Sequence, residues 1–172
     1  MQPDDTDHLV NNQSIVHVPD GNDDHITTSE NNRKVRVATT GVAFHTRLSE
    51  YFTNPGDDQP IIMADILTNE GAAFDRSTGQ FTCPVSGVYV FFITAVSFQD
   101  KHIQIGLLKN GHNIESLVNG NSGYWGSASN MVIVHAQEGD HIWPQVDGQI
   151  HDMGTLLDRY YTTFSGFLLY KS

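Results

Sequence analysis

Two stretches of the 172-residue chain carry side chains suited to ligand chemistry. The first, Asn119-Gly120-Asn121-Ser122-Gly123-Tyr124-Trp125-Gly126-Ser127, joins Gly-rich backbone to amides, hydroxyls and an adjacent Tyr-Trp pair. Amides can hydrogen-bond hydroxyl groups while an aromatic face packs on the apolar side of a ring, so Asn119, Asn121, Ser122, Tyr124 and Trp125 are candidate carbohydrate-binding residues. The competing reading packs Trp125 into the core or a subunit contact. The second stretch is Asp158-Arg159-Tyr160-Tyr161. Here Arg159 can fork onto a carboxylate such as that of sialic acid, with Tyr160 and Tyr161 beside it, or can form a surface ion pair.

Catalytic chemistry finds no support. There is no Gly-x-Ser-x-Gly elbow, phosphate loop, His-Glu-x-x-His or cysteine pair with zinc spacing. The lone cysteine, Cys83, lies in an apolar setting beside Pro84 and reads as a small buried hydrophobe inside a strand. His102, His135 and His141 fall on or beside expected strands that do not group them into a metal site, while His112 and His151 read as loop residues. No metal site and no required cofactor are assigned.

The chain carries 9 Lys+Arg against 20 Asp+Glu, a formal charge of −11. Residues 1–40 contribute −4 and residues 41–172 contribute −7. This balance argues against nucleic-acid binding and against attachment to an anionic membrane surface. No run approaches the roughly 18 to 20 apolar residues of a membrane span. Residues 1–40 are rich in Asp, Asn, His and Ser and poor in aromatics, which is the composition of an acidic tail. Asn12-Gln13-Ser14 within it is a glycosylation sequon, consistent with secretion. Asp20-Gly21-Asn22-Asp23-Asp24 begins like a calcium loop, but His25 replaces the Gly of the bend and Asn31 the bidentate Glu.

The elements that must position the candidate residues are short apolar runs between turn signals: 42–46, 61–67, 79–83, 87–96, 102–109, 131–136, 141–145 and 162–170. Turns such as Asn54-Pro55-Gly56-Asp57, Lys109-Asn110-Gly111 and Glu138-Gly139-Asp140 separate them. Many such strands without a helical period predict an all-β sandwich or jelly roll in residues 41–172. The run 87–96 is apolar on both faces, with Tyr89, Phe91, Ile93 and Ala95 on one and Val88, Val90, Phe92 and Val96 on the other. A strand that faces water on one side alternates instead, so its second face expects a subunit or a covering loop.

The segment 63–93 resembles the signature of the globular head of complement C1q, a family related in fold to tumour necrosis factor. Asn69, Phe74, Phe81, Gly87, Tyr89 and Phe91 stand at the family's spacing, with Met63 and Ile93 replacing aromatic residues. Val42-Ala43-Phe44, Leu107-Leu108-Lys109-Asn110-Gly111, Glu138-Gly139-Asp140-His141-Ile142-Trp143 and the ending Thr163-Phe164-Ser165-Gly166-Phe167-Leu168-Leu169-Tyr170 extend the likeness over residues 41–172. The resemblance implies a jelly roll of about ten antiparallel strands that assembles as a homotrimer, here without a collagen Gly-X-Y stalk. It also implies an axial calcium held by acidic and amide side chains. The matching stretch 116–127 has no carboxylate, the nearest being Glu115 and Glu138. Since hard cations prefer carboxylate oxygens, a calcium site of that kind is not expected. Stalkless members of invertebrate type, especially molluscan ones, include sialic-acid-binding lectins. The implied function is therefore a secreted, non-enzymatic pattern-recognition lectin of innate immunity that binds glycans or microbial surfaces through its loops. The alternative is an extracellular calcium-binding or mineral-associated structural protein acting through its acidic tail.

Overall fold

The computed structural model describes residues 41–120 and 123–172. The tail, its sequon at Asn12, and Asn121 and Ser122 lie outside the described residues. Those described form twelve antiparallel strands and no helix. In chain order these are β1 (Ala43–Arg47), β2 (Phe52–Thr53), β3 (Asp65–Glu70), β4 (Phe74–Asp75), β5 (Gln80–Thr82), β6 (Gly87–Ser97), β7 (Ile103–Lys109), β8 (His112–Asn119), β9 (Gly126–Ala136), β10 (His141–His151), β11 (Leu156–Leu157) and β12 (Thr163–Lys171). One sheet runs β2-β11-β6-β12-β1-β3 with β9 also on β6, and the other runs β4-β5-β10-β7-β8. The expected sandwich is thus present, with three strands of only two residues added to the longer ones.

Aromatic rings from both sheets hold the layers together. Phe44 stacks on Phe81 at 4.9 Å and meets Phe164 edge-on at 4.9 Å, while Tyr89 and Phe91 stack at 6.0 Å. All five are buried, and each such ring stabilises the fold by about 1.5–3 kcal/mol through burial alone. Two glycines make this packing fit. A Cβ at Gly166 would stand 2.5 Å from the Phe91 ring and 2.7 Å from that of Phe44, and one at Gly87 would meet the Tyr170 carbonyl at 2.5 Å. The Asn69 side chain closes the β3–β4 corner, donating to Phe74 O at 2.9 Å and accepting from Phe74 N at 3.1 Å.

Four expectations are corrected. The strand expected at 61–67 begins only at Asp65. Ile61 and Met63 are buried but lie in a coil segment, where Ile61 N donates to Pro144 O at 2.9 Å; their apolarity serves the core without a ladder. β8 is absent from the expected strands because its sequence, His-Asn-Ile-Glu-Ser-Leu-Val-Asn, is mostly polar. It is the edge of its sheet, entered by a tight turn with Asn110 at φ 51° and Gly111 at φ 82°. Strand β9 starts five residues before Met131, since its first half is Gly, Ser, Ala and Asn. Cys83 follows β5 directly and does not lie within a strand. It is buried as expected, and that burial, reinforced by Asp140, pushes its thiol up to about 12.

On the second face of β6, Val90 and Val96 are buried, but Phe92 at its middle is exposed. Around Phe92, the residues Met131 and Ile133 of β9 and Phe167, Leu169 and Tyr170 of β12 are all exposed. Phe92 and Phe167 stack at 6.4 Å on this outer surface, and a recess of about 320 Å³ opens between Phe92 and Met131.

Candidate functional site

Strand direction sorts the loops. Gly87 pairs with Ala136 and Lys171, and Ala43 with Phe167, so both described chain ends lie at one end of the sheet. Ser97 pairs with Gly126 and Leu157, and Ile103 with Asn119 and His151. The segments after β1, β6, β8, β10 and β11 therefore gather at the opposite end, the apex. The described residues of both stretches singled out by residue type fall there.

Asn119 is corrected from sugar ligand to anchor. Its side chain is buried, and its Nδ2 donates to Ala95 O at 3.0 Å and to Gly126 O at 2.9 Å, tying the end of β6 to the start of β9. Gly120 follows at φ 145°, where a Cβ would meet His102 Cα at 2.4 Å. The backbone thus leaves β8 fixed against the 101–102 segment, and Tyr124 and Trp125 return from it facing outward.

Trp125 is 49% exposed, so it is not a core residue. Its indole leans on Phe98 at 4.6 Å and meets Tyr161 edge-on at 6.3 Å. Phe98 in turn meets Tyr51 edge-on at 6.1 Å. The Arg159 guanidinium lies 4.5 Å from the centre of the Tyr160 ring and 5.8 Å from that of Tyr51. It donates to the Tyr160 hydroxyl and, at 3.5 Å, to Ser49 O. Among the described residues Arg159 forms no ion pair, and its charge lies against the two rings. Such cation–π contacts contribute about 0.5–2 kcal/mol each.

Asp158 explains why Arg159 is left without a carboxylate. Its side chain is buried, and its Oδ1 accepts from Tyr160 N at 2.7 Å and Tyr161 N at 3.1 Å. This Asx turn shapes the 158–161 bend. Thr162 N donates to Asp158 O at 3.1 Å, and the Thr162 hydroxyl accepts from Val96 N, so the bend is bolted to the end of β6.

The structure brings Trp125, Arg159, Tyr160 and Tyr161 into one array and adds Tyr51 and Phe98, which sequence reasoning did not name. Phe98 carried a signal, as an aromatic residue directly after the apolar run of β6, whereas Tyr51 follows the polar pair Ser49-Glu50 and carried none. Tyr124, next to Trp125 in the chain, is 83% exposed. The array offers ring faces and hydroxyls to solvent beside one half-buried guanidinium whose Nε is buried, which suits a ligand with both an apolar face and an anionic or hydroxylated edge.

Among the described residues no group of three His, Cys, Asp or Glu is positioned for a metal. His141 instead contacts the Thr82 hydroxyl at 3.1 Å. His151, expected in a loop, closes β10. No helix among the described residues is long and apolar enough to cross a membrane.

Two antiparallel sheets, an aromatic interior and apical loops define an all-β jelly roll of the kind that complement C1q heads and tumour-necrosis-factor ligands share. The C1q domain family model matches residues 43–169, and the chain belongs to that family. Mouse complement C1q tumor necrosis factor-related protein 2 is 36% identical over 118 residues, covering 67% of this chain and 40% of that protein. Human complement C1q and tumor necrosis factor-related protein 9A is 34% identical over 131 residues, covering 76% of this chain and 39% of that protein. The chain thus spans about two fifths of the length of these curated relatives. Among solved structures, the globular domain of zebrafish complement 1qA protein superposes with a TM-score of 0.59 at 25% identity, covering 76% of this chain and 99% of that one. Murine APRIL superposes at 0.56 with 12% identity and covers 75% and 99%, a likeness of fold alone.

Proposed function

We propose that this C1q-domain protein is secreted and forms a homotrimer through the outer face of β6, β9 and β12, and that its apex binds glycans on cell or microbial surfaces. The observation that carries the ligand reading is the continuous array of Tyr51, Phe98, Trp125, Tyr161, Arg159 and Tyr160. Trp125 and Tyr161 present faces for the C–H side of a sugar ring, and the guanidinium edge of Arg159 meets a carboxylate such as that of sialic acid. Three copies then multiply a weak single-site affinity, as surface recognition requires. Support for the trimer comes from the exposed apolar residues Phe92, Met131, Ile133 and Phe167 on one sheet face, the kind of surface that marks an interaction site.

Calorimetric titration of sialic acid and neutral sugars tests the ligand reading. The expected result is millimolar or tighter binding, lost in Trp125→Ala and weakened for the acidic sugar alone in Arg159→Gln. Absence of binding by every sugar at millimolar concentration overturns it.

A further inference from the structure

In a closed ring of three identical copies, each contact joins two different patches of the chain. The exposed apolar residues of β6, β9 and β12 form one such patch, and the patch that meets them lies elsewhere on the same surface. Strand pairing sorts the outer face into transverse rows. Thr68 pairs with His45, His45 with Ser165, Ser165 with Phe92 and Phe92 with Met131, so one row crosses β3, β1, β12, β6 and β9 in that order.

The two ends of this row differ. At the β9 end lies the recess of about 320 Å³, lined by Phe92, Ile93, Thr94, Ser129, Asn130 and Met131. At the β3 end the ladder slips: His45 pairs with Thr68 but Thr46 with Ile66, which leaves Leu67 as an extra residue. A bulge of this kind re-aims a side chain out of the regular alternation. Leu67 is 52% exposed, and no other large apolar residue of β1 or β3 is exposed. It also stands on the outermost strand of its sheet, where an uncovered leucine is a place for a second chain to pack.

We propose that Leu67 of one copy enters the recess between Phe92 and Met131 of the next, and that three such head-to-tail contacts close the ring around an axis running along the strands. This contact presupposes the homotrimer reading above and fills the face that it leaves open. Rotation about that axis keeps each residue at its own level, and Leu67 and the recess flank the same row. Phe92 and Met131 give the recess apolar walls. The hydroxyls of Thr94 and Ser129 meet each other at 2.9 Å, and Asn130 Nδ2 donates to Glu115 Oε1 at 2.9 Å and Ser116 O at 3.1 Å. Its polar groups are thus engaged within their own chain and do not resist an arriving hydrocarbon side chain. A recess packed on another recess would join copies only in pairs and leave Leu67 in water.

Cysteine trapping in the full chain tests this. Leu67 and Met131 stand four strand spacings apart, about 19 Å, so cysteines at both positions cannot join within one chain. The native Cys83 is buried. Under mild oxidation, Leu67→Cys combined with Met131→Cys is expected to give disulfide-linked dimers and covalent trimers on a non-reducing gel, while each single variant gives none. Leu67→Asp is expected to raise the dissociation concentration of the ring more than about tenfold by light scattering, since a carboxylate replaces a buried leucine. A linked dimer from either single variant shows like surfaces meeting and overturns the proposal. So does a double variant that keeps three times the monomer mass without forming a disulfide, or a Leu67→Asp protein that assembles as tightly as the parent. A parent chain of single mass removes the homotrimer reading and this contact with it.

Discussion

Replacing Asn119 separates its role as an anchor from the ligand role its sequence context suggested. In Asn119→Ala the carbonyls of Ala95 and Gly126 each lose a donor at about hydrogen-bond length, in a position only 4% exposed. A buried group stripped of its partner costs about 1–3 kcal/mol. Both carbonyls belong to residues in the β6–β9 ladder, which favours the lower part of that range. The sum is therefore about 2–3 kcal/mol. With a urea dependence of roughly 1–3 kcal/mol per molar, the unfolding midpoint falls by on the order of 1 M, measured at fixed protein concentration so that assembly does not enter. Asn119→Asp sharpens the test. It keeps the shape but aims a carboxylate at two carbonyl oxygens, so the folded state favours the protonated acid and the introduced group's pKa rises above its unfolded value. Its destabilisation must then be smallest below about pH 4 and grow as pH increases. A midpoint shift below about 0.2 M for Asn119→Ala, accompanied by lost sugar binding, refutes the anchor and restores Asn119 to the ligand set.

Stability should decline as pH rises above about 9. Burial raises Cys83 from an ordinary 9.0 to about 12 and Tyr89 from 10.0 to about 12, so the unfolded chain ionises first; a pH series of urea unfolding should show this slope, reduced in Cys83→Ala and Tyr89→Phe. For assembly, Ile133→Asp should turn a particle of three times the monomer mass into a folded monomer, because Ile133 is 58% exposed within its own chain; light scattering that shows an unchanged mass refutes the interface. Added salt should strengthen binding of an acidic sugar and leave neutral sugars unmoved, since a head of charge −7 repels anions at long range while Arg159 acts at contact; a steep loss of acidic-sugar affinity with salt would contradict this.

Most of the sandwich was legible because its core positions repeat every second residue and its turns carry Asn-Gly or Gly-Asp pairs. Strand β6 shows this best: Tyr89, Phe91, Ile93 and Ala95 face the interior as the alternation demands. What escaped were elements whose reason for forming lies elsewhere in the chain. β8 is polar because it is an edge, and Ile61 and Met63 are apolar because they plug the core from a coil. The site was half legible for the same reason. Residue type pointed to Trp125 and Arg159, but only tertiary pairing shows that they share one array through Tyr51 and Phe98. The same chemistry misled at Asn119, whose amide does meet oxygen acceptors, yet those acceptors are two carbonyls of its own fold.

The placement of charge and apolar surface explains how one small domain can hold two interaction surfaces without confusing them. The face around Phe92, Ile133 and Phe167 presents hydrocarbon and lies along the strands, where a large flat contact can form. The apex presents rings held by the ends of those strands, where Asp158 and Asn119 spend their polar groups on backbone and leave the rings outward. With Asp158 turned inward, Arg159 keeps its charge available in a head that is otherwise acidic. On the proposed reading a glycan must therefore come close before it is attracted, so that its recognition would depend on ring contact first and on charge second.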